Sequence, residues 1–226
     1  MKTAYFWLTP QGKQLAEQLQ AHFGGTVESK ADFAEAVRRA FADCDALVFV
    51  MATGIVVRTI APLVQSKASD PAVLVLDQRG KHVISLLSGH LGGANAMAEQ
   101  AAAYLGGEAV ITTATDVEHV PAFDLFAKEN HLTIENLEEL KYISGALVAG
   151  EAVSLCTAFP VEKNAFPETV QIQPFSETPR HACAVAIADT TESVAAPHVL
   201  YLRPKSLVLG VGCKKQIPPA HLEQCF

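Results

Sequence analysis

The sequence predicts an α/β protein, a doubly wound, mainly parallel sheet followed by a smaller α/β domain. Three observations carry this expectation. Apolar strand-like runs alternate with amphipathic helical stretches through about residue 117, at the spacing of βαβ units. Ala46–Met51, ALVFVM, is continuously apolar, as a strand covered on both faces must be. After Asp116 the texture shifts to shorter helical segments and a stretch at 160–180 rich in Pro, Glu and Thr. The expected divisions are 1–117 for an N-terminal α/β domain carrying a glycine-rich site, 118–204 for a middle α/β domain, and 205–226 for the start of a truncated third unit.

Each element has its own signal. Thr3–Leu8 reads as a first strand. Pro10 then opens a helix in which Leu15, Leu19 and Phe23 recur four apart. Thr26–Glu28 is a short strand. Ser29-Lys-Ala-Asp32 has capping-box spacing, with Asp32 in place of Glu or Gln, ahead of a helix with Phe33, Val37 and Phe41 on one face. A helix is expected over 54–65, with Pro62 as a break. Ala72–Leu76 is a buried strand, and Val83–Leu87 follows the turn Gln78-Arg79-Gly80-Lys81. Gly93–Tyr104 is an alanine-rich helix, and Ala109–Thr112 closes the series as a strand. In the second half, Phe123–Asn130 and Asn136–Ala149 read as helices, the latter with a capping-box-like start. Ala152–Thr157 and Cys183–Ala188 read as strands. Leu207–Gly212 looks like the first strand and turn of the third unit. Strands feeding helices in this order place their βα turns at one sheet edge. Met51–Arg58, Ser88–Asn95 and Thr112–Asp116 are expected to converge there.

Composition narrows the function. The chain has 226 residues and a net charge of −7, which argues against a nucleic-acid partner bound through a basic face. Five scattered cysteines with no C-x-x-C pair argue against a disulfide framework and a thiolate zinc site. Met1 runs straight into a strand with no signal-like region, and no apolar run reaches membrane-spanning length. The expectation is a soluble cytoplasmic protein with no membrane partner.

Leu86–Asn95, LLSGHLGGAN, carries the chemistry. Its glycines allow close backbone approach to a ligand. The helix start offers N–H groups and a positive dipole end to an anion. His90 can change charge near neutral pH, and it reads three ways: general acid/base, metal ligand, or buried hydrogen-bonded histidine. Ser88 and Asn95 add a hydroxyl and an amide. In Met51–Arg58, Thr53 and Gly54 could present amides to an anion, and Arg58 could fork onto a carboxylate; an ordinary helix cap with a solvated arginine is the alternative. Lys67 could contact an acidic substrate that Asp70 orients, or both could belong to a polar loop before a strand. Thr113 and Asp116 in TTATD could bind polar groups, with Asp116 paired to His90, or could cap a helix. Ser88, His90 and Asp116 suggest a triad, but G-x-S-x-G is absent. No metal site and no dinucleotide or Walker motif is expected.

At these residues the chain resembles a known family. The run 52–117, opening ATGIVVRTIAPLVQSK and continuing through LLSGHLGGANAMAEQ to VITTATDV, is similar to the N-terminal domain of the cobalt-precorrin-5A hydrolases of anaerobic cobalamin biosynthesis. The region after Asp116 is similar to the family's variable middle domain, and 206–218, SLVLGVGCKKQIP, to the opening of its C-terminal domain. The resemblance implies an enzyme that opens the δ-lactone of a cobalt-bearing tetrapyrrole and expels two carbons as acetaldehyde, giving cobalt-precorrin-5B. It implies no cofactor, because the substrate carries the cobalt. Placed on this substrate, the helix-start amides, Arg58 and Lys67 suit its carboxylates. His90 is the expected general base with Asp116 orienting it, and the amides of Gly92 and Gly93 lie near the oxyanion. A non-catalytic tetrapyrrole carrier and a phosphate-binding protein are the rival readings. The truncated third domain predicts little or no hydrolase activity. Its apolar stretch Leu207–Val211 predicts pairing with an edge of the middle domain or with a second copy of the chain in a homo-oligomer; a disordered tail is the alternative.

Overall fold

The computed structural model describes residues 1–29, 31–162 and 165–206. The stretch Leu207–Val211 and all of the expected third unit after residue 206 lie outside the described residues.

The first half is a six-stranded sheet in the order β2-β1-β3-β4-β5-β6. Its strands are β1 (Thr3–Trp7), β2 (Thr26–Val27), β3 (Ala46–Val50), β4 (Ala72–Leu76), β5 (His82–Leu87) and β6 (Glu108–Val110). Four helices cover it: α1 (Pro10–Phe23), α2 (Phe33–Asp43), α3 (Thr53–Ile60) and α4 (Ala94–Leu105). Successive strand residues point to opposite faces, so one sheet feeds two cores. Tyr5, Val48, Val50, Leu74 and Leu76 pack under Leu15 and Leu19 of α1 and the alanines of α4. Phe6, Leu47, Phe49, Val73 and Val75 pack under Val37 of α2 and Val56 and Ile60 of α3. This is the doubly wound arrangement the apolar runs predict. The α1 start is built as expected: Thr9 Oγ1 accepts the Gly12 N–H at 3.0 Å, and Pro10 occupies the first turn.

Two local expectations fail. The Ser29–Asp32 capping box does not form. Asp32 sits in the left-handed region at φ 55° without capping α2, and Ser29 Oγ instead accepts the Ala31 N–H. The sheet also reverses partway. β4 and β5 are antiparallel, and β6 runs parallel to β5. The connection explains this. Residues 77–81 are too few for a crossover, which needs a dozen or more. Asp77 closes the turn by accepting the Arg79 and His82 N–H groups at 2.8 and 2.7 Å. Gly80 takes φ +66°, and a Cβ there would lie 2.8 Å from Leu105 Cδ1.

The second half is a five-stranded sheet in the order β7-β11-β10-β8-β9. It comprises β7 (Thr133–Ile134), β8 (Val153–Thr157), β9 (Val170–Pro174), β10 (Cys183–Ile187) and β11 (His198–Arg203), with only β7 antiparallel. Before it come α5 (Ala114–Val117) and α6 (Phe123–Glu129), and α7 (Leu140–Val148) follows β7. Phe123, Ile143 and Leu147 pack α6 and α7 onto one face over Leu155, Val185 and Leu200. The expected cap at Asn136 is put to another use. Its side chain donates to Val199 O at 2.7 Å and accepts the Tyr201 N–H at 2.9 Å, pinning β11 in place. No helix among the described residues is long and apolar enough to cross a membrane.

Candidate functional site

The strand reversal decides which residues meet. β1, β3 and β4 end at one edge of the first sheet, whereas β5 and β6 end at the other, beside the start of β4. Met51–Arg58 follows β3 and therefore lies at the opposite edge from Ser88–Asn95 and Thr113–Asp116. The expected three-way convergence is thus corrected to a two-way one. Thr53 lines a separate cavity with Met51, Leu76 and Gln78. Arg58 donates from an exposed position to Gly54 O at 2.9 Å, one turn back on its own helix. Thr53, Gly54 and Arg58 do not belong to the His90 site.

Lys67, which sequence alone leaves in a loop, does reach that site, because the loop enters β4 beside the end of β5. Asp70 there is structural. Its carboxylate accepts the Gln65 N–H at 3.2 and 3.0 Å, and its carbonyl accepts the Ser88 hydroxyl at 3.0 Å. Ser88 adopts φ 58°, turning the chain sharply after β5. Gly92 fills the tightest point of that turn: a Cβ there would stand 2.5 Å from Ser88 Cβ and 2.7 Å from Ser88 O. Gly93 follows at φ 89° as the residue that enters α4. The turn also consumes the first amides of α4. Ala94 N–H donates to Ser88 O and Asn95 N–H to Gly89 O, at 3.2 and 3.1 Å. The glycines here serve chain packing, and the helix start spends these donors internally.

His90 stands at the centre, its side chain 9% exposed. Its Nε2 lies 2.7 Å from Asp116 Oδ2 and its Nδ1 3.1 Å from Asp124 Oδ1. Asp116 is on α5 and Asp124 on α6, so the imidazole ties the glycine turn to the chain entering the second half. Asn95, 6% exposed, braces the same carboxylate. Its Nδ2 donates to Asp116 Oδ2 and to Thr113 Oγ1, both at 3.0 Å, while its Oδ1 accepts from Ser85 at 2.6 Å. Lys128 Nζ adds a bond to Leu91 O at 2.9 Å. Sequence reasoning missed Asp124 and Lys128, both on α6.

The electrostatics reassign His90. The Asp124 hydrogen bond, opposed by desolvation and reinforced by both carboxylate charges and the Asp116 bond, pushes its pKa up to about 9. Burial by itself would raise Asp124, but the His90 hydrogen bond and charge and the Leu125 N–H outweigh it and hold that carboxylate below its usual range. At neutral pH the ring is therefore an imidazolium with both N–H groups donating to carboxylates. It has no free lone pair to take a proton, so the expected general-base role is corrected. Of its two partners, Asp124 is 10% exposed and Asp116 34%. The His90 and Asn95 bonds to Asp116 both fall on Oδ2. Asp116 is the more solvent-exposed of the two, and Asp124 is the one on the wall of the neighbouring cavity. Among the described residues no cluster of His, Cys, Asp and Glu is arranged to hold a metal ion.

A pH dependence arises from this geometry. His90 is raised from 6.5 to about 9 on folding, so its stabilisation is full below pH 6.5 and is lost as pH rises through 9. The shift is worth about 3 kcal/mol. Urea denaturation is expected to show lower stability at pH 9.5 than at pH 6.5, and a His90→Gln variant is expected to lose most of that difference. Equal slopes in the two proteins would contradict the charged assignment.

Against this group lies an open cavity of about 420 Å3 between the two halves of the molecule. Lys67, Ser88, His90, Thr113, Thr115 and Asp124 line it on one side, and Lys141, Ser144 and Gly145 of α7 on the other.

Comparison with known proteins bears on what such a cavity holds. Residues 35–116 match the family described as cobalamin synthesis G N-terminal, and residues 121–204 match the cobalamin biosynthesis central region. A Salmonella typhimurium protein named cobalt-precorrin-5A hydrolase is 37% identical over 95% of this chain and 66% of its own length. A Priestia megaterium protein of the same name is 36% identical over 78% of this chain and 50% of its own. The chain thus spans between half and about two thirds of these relatives. In fold, it superposes at TM-score 0.53 and 24% identity on a crystal structure described as a cobalamin biosynthesis protein G homologue from Sulfolobus solfataricus, covering 99% of this chain and 67% of that one.

Proposed function

The chain belongs to the cobalamin synthesis G family through its N-terminal and central regions, and from that premise we propose that it acts in cobalamin biosynthesis as a hydrolase of cobalt-precorrin-5A. The observation that carries the proposal is the cavity between the halves. It joins two lysines to the edge of the sheet where a buried imidazolium holds Asp116 and Asp124, with His90 and Asp124 on the cavity wall. The substrate is a large macrocycle edged with acetate and propionate groups, and a cavity of about 420 Å3 admits one edge of it. Lys67 and Lys141 suit its carboxylates. Arg58, on the far edge of the sheet, does not enter this reading.

The reaction opens the δ-lactone and releases acetaldehyde. Water attacks the lactone carbonyl carbon, and Asp116 accepts the proton that water loses. The acyl carbon–oxygen bond breaks, leaving a carboxylic acid on the macrocycle and an alkoxide on the two-carbon branch. The C–O of that alkoxide becomes the C=O of acetaldehyde as the carbon–carbon bond breaks, and its electron pair stays on the macrocycle, which takes up the proton Asp116 accepted. His90 fixes the Asp116 carboxylate through Oδ2, and Asn95 donates to the same oxygen. The cobalt belongs to the substrate in this reading, and the protein contributes no cofactor of its own.

Incubation with cobalt-precorrin-5A, with acetaldehyde assayed, tests the proposal. Catalytic release of acetaldehyde is the expected result. Binding without release would make the protein a tetrapyrrole carrier. Failure to bind the tetrapyrrole, with inorganic phosphate bound instead, would overturn the reading.

A further inference from the structure

Gly145 stands inside α7, within the span Leu140–Val148. A glycine in a helix interior is less stable than an alanine there, so its presence calls for a reason. The two ordinary reasons are absent. The chain leaves α7 through Gly150, which takes φ 75° after the Ala149 cap, so Gly145 makes no turn. A Cβ built on Gly145 would meet nothing within 4 Å apart from its chain neighbours and its own helix backbone, so no packed neighbour excludes a side chain. Every other described glycine has a positive φ or an atom within 3.2 Å of the place a Cβ would take. Among the described residues Gly145 alone has neither. What it faces is the cavity between the halves, which Lys141, Ser144 and Val148 of the same helix also line. Leu91 of the glycine turn lines that cavity from the other half. Gly145 is exposed, so a ligand reaches it directly, and with no side chain in the way a rigid ligand comes up to the helix backbone itself. Val148 beside it and Leu91 in the same cavity are apolar, which suits the flat carbon surface of a ring.

We propose that Gly145 is a specificity-determining position at which the inserted edge of the macrocycle lies in van der Waals contact with the backbone of α7. The proposal rests on the reading of this cavity as the tetrapyrrole site and specifies which surface of the protein the ring meets. The missing Cβ sets the width of the cavity at that point, so the helix admits a flat ring that a side chain there would push away. Gly145 contributes shape alone. It holds no charge, takes no part in proton transfer and acts by fixing how closely the ring approaches the second half of the molecule.

The test uses Gly145→Ala, which adds one methyl group, and Gly145→Leu, which adds a larger side chain that helices also favour. Binding of cobalt-precorrin-5A is followed by its visible absorption, and the Tm of each unliganded protein is recorded. Stability and binding are expected to move in opposite directions. Gly145→Ala is expected to raise the Tm by about 2 °C, because it improves the helix and meets no neighbour. The same variant is expected to bind about fivefold more weakly, and Gly145→Leu about thirtyfold, the range for overfilling a packed contact. A residue with a purely structural role would not give a firmer protein that binds less. A Gly145→Ala protein that binds as tightly as the parent would overturn the contact while leaving the cavity's assignment intact, even if Gly145→Leu binds weakly, because the ring would then stand off the helix by more than a methyl group. One that melts well below the parent would give the glycine a structural role and overturn the proposal as well. If the parent itself does not bind cobalt-precorrin-5A, the underlying reading of the cavity falls.

Discussion

His90→Ala is expected to destabilise the protein by about 3 kcal/mol, the lower end of the cost of breaking a buried ion pair from one side. The lower end applies because Asp116 is a third exposed and can be rehydrated, whereas Asp124, at 10%, cannot. Removing the imidazolium leaves Asp124 facing a void with its charge unpaired. Part of the loss should be recovered by adding Asp124→Asn, because the second change removes the stranded charge. A double-mutant cycle reads this directly. The combined loss should fall short of the sum of the single losses by more than about 1 kcal/mol, the signature of groups in direct contact. Additive losses, or a His90→Ala protein as stable as the parent, would show that the ring is neutral and weakly held. The prediction also separates two roles that activity alone would confuse. A catalytic base can be removed with little loss of stability, whereas removal of this histidine is expected to cost much of it.

The first sheet is legible in the sequence because its strands are buried on both faces. ALVFVM at 46–51 and AVLVL at 72–76 read as continuous apolar runs, and both form central strands. The reversal between β4 and β5 is legible too, in the length of the connection. Five residues closed by Asp77 and Gly80 make a hairpin turn, and placing all the βα turns at one edge overlooks that limit. The consequence is functional, since the one-edge expectation brings Thr53, Gly54 and Arg58 to the wrong edge. In the second half, β9 lies hidden in a Pro- and Glu-rich stretch, although Val170-Gln-Ile-Gln alternates with the period of a half-buried strand. β11, HVLYLR, carries β-branched and aromatic residues of the same kind.

The site is half legible for a different reason. The glycine turn announces His90, and TTATD announces Asp116, because both carry local signals at strand ends. Asp124 carries none. It is 34 positions from His90, and only the docking of α6 brings the two together. Its one hint is a carboxylate directly after Phe123 in a helix whose neighbours are buried, a place where an acid needs a partner. The protonation state of His90 depends on that unseen partner. A histidine with one carboxylate is a plausible base, and a histidine between two is a cation.

Asp116→Asn is expected to lower the rate of acetaldehyde release by between about 10²- and 10⁴-fold, the range for loss of a positioned proton acceptor. The substitution is nearly isosteric, and the amide oxygen can still accept the His90 and Asn95 hydrogen bonds that now meet at Oδ2. The fold should therefore survive with a loss of about 1 kcal/mol, the worth of a weakened hydrogen bond. Binding of cobalt-precorrin-5A should change little, because the lysines that meet its carboxylates are untouched. The expected pattern is thus a fall in kcat with KM nearly constant. Asp124→Asn serves as the control. It removes the other partner of His90 but leaves the accessible carboxylate in place, so it should lose stability more than rate. Parent-like turnover in Asp116→Asn would take the proton acceptor away from this carboxylate. A rate loss in Asp124→Asn as large as that in Asp116→Asn would show that the charge of the His90 pair, and not the position of Asp116, sets the chemistry.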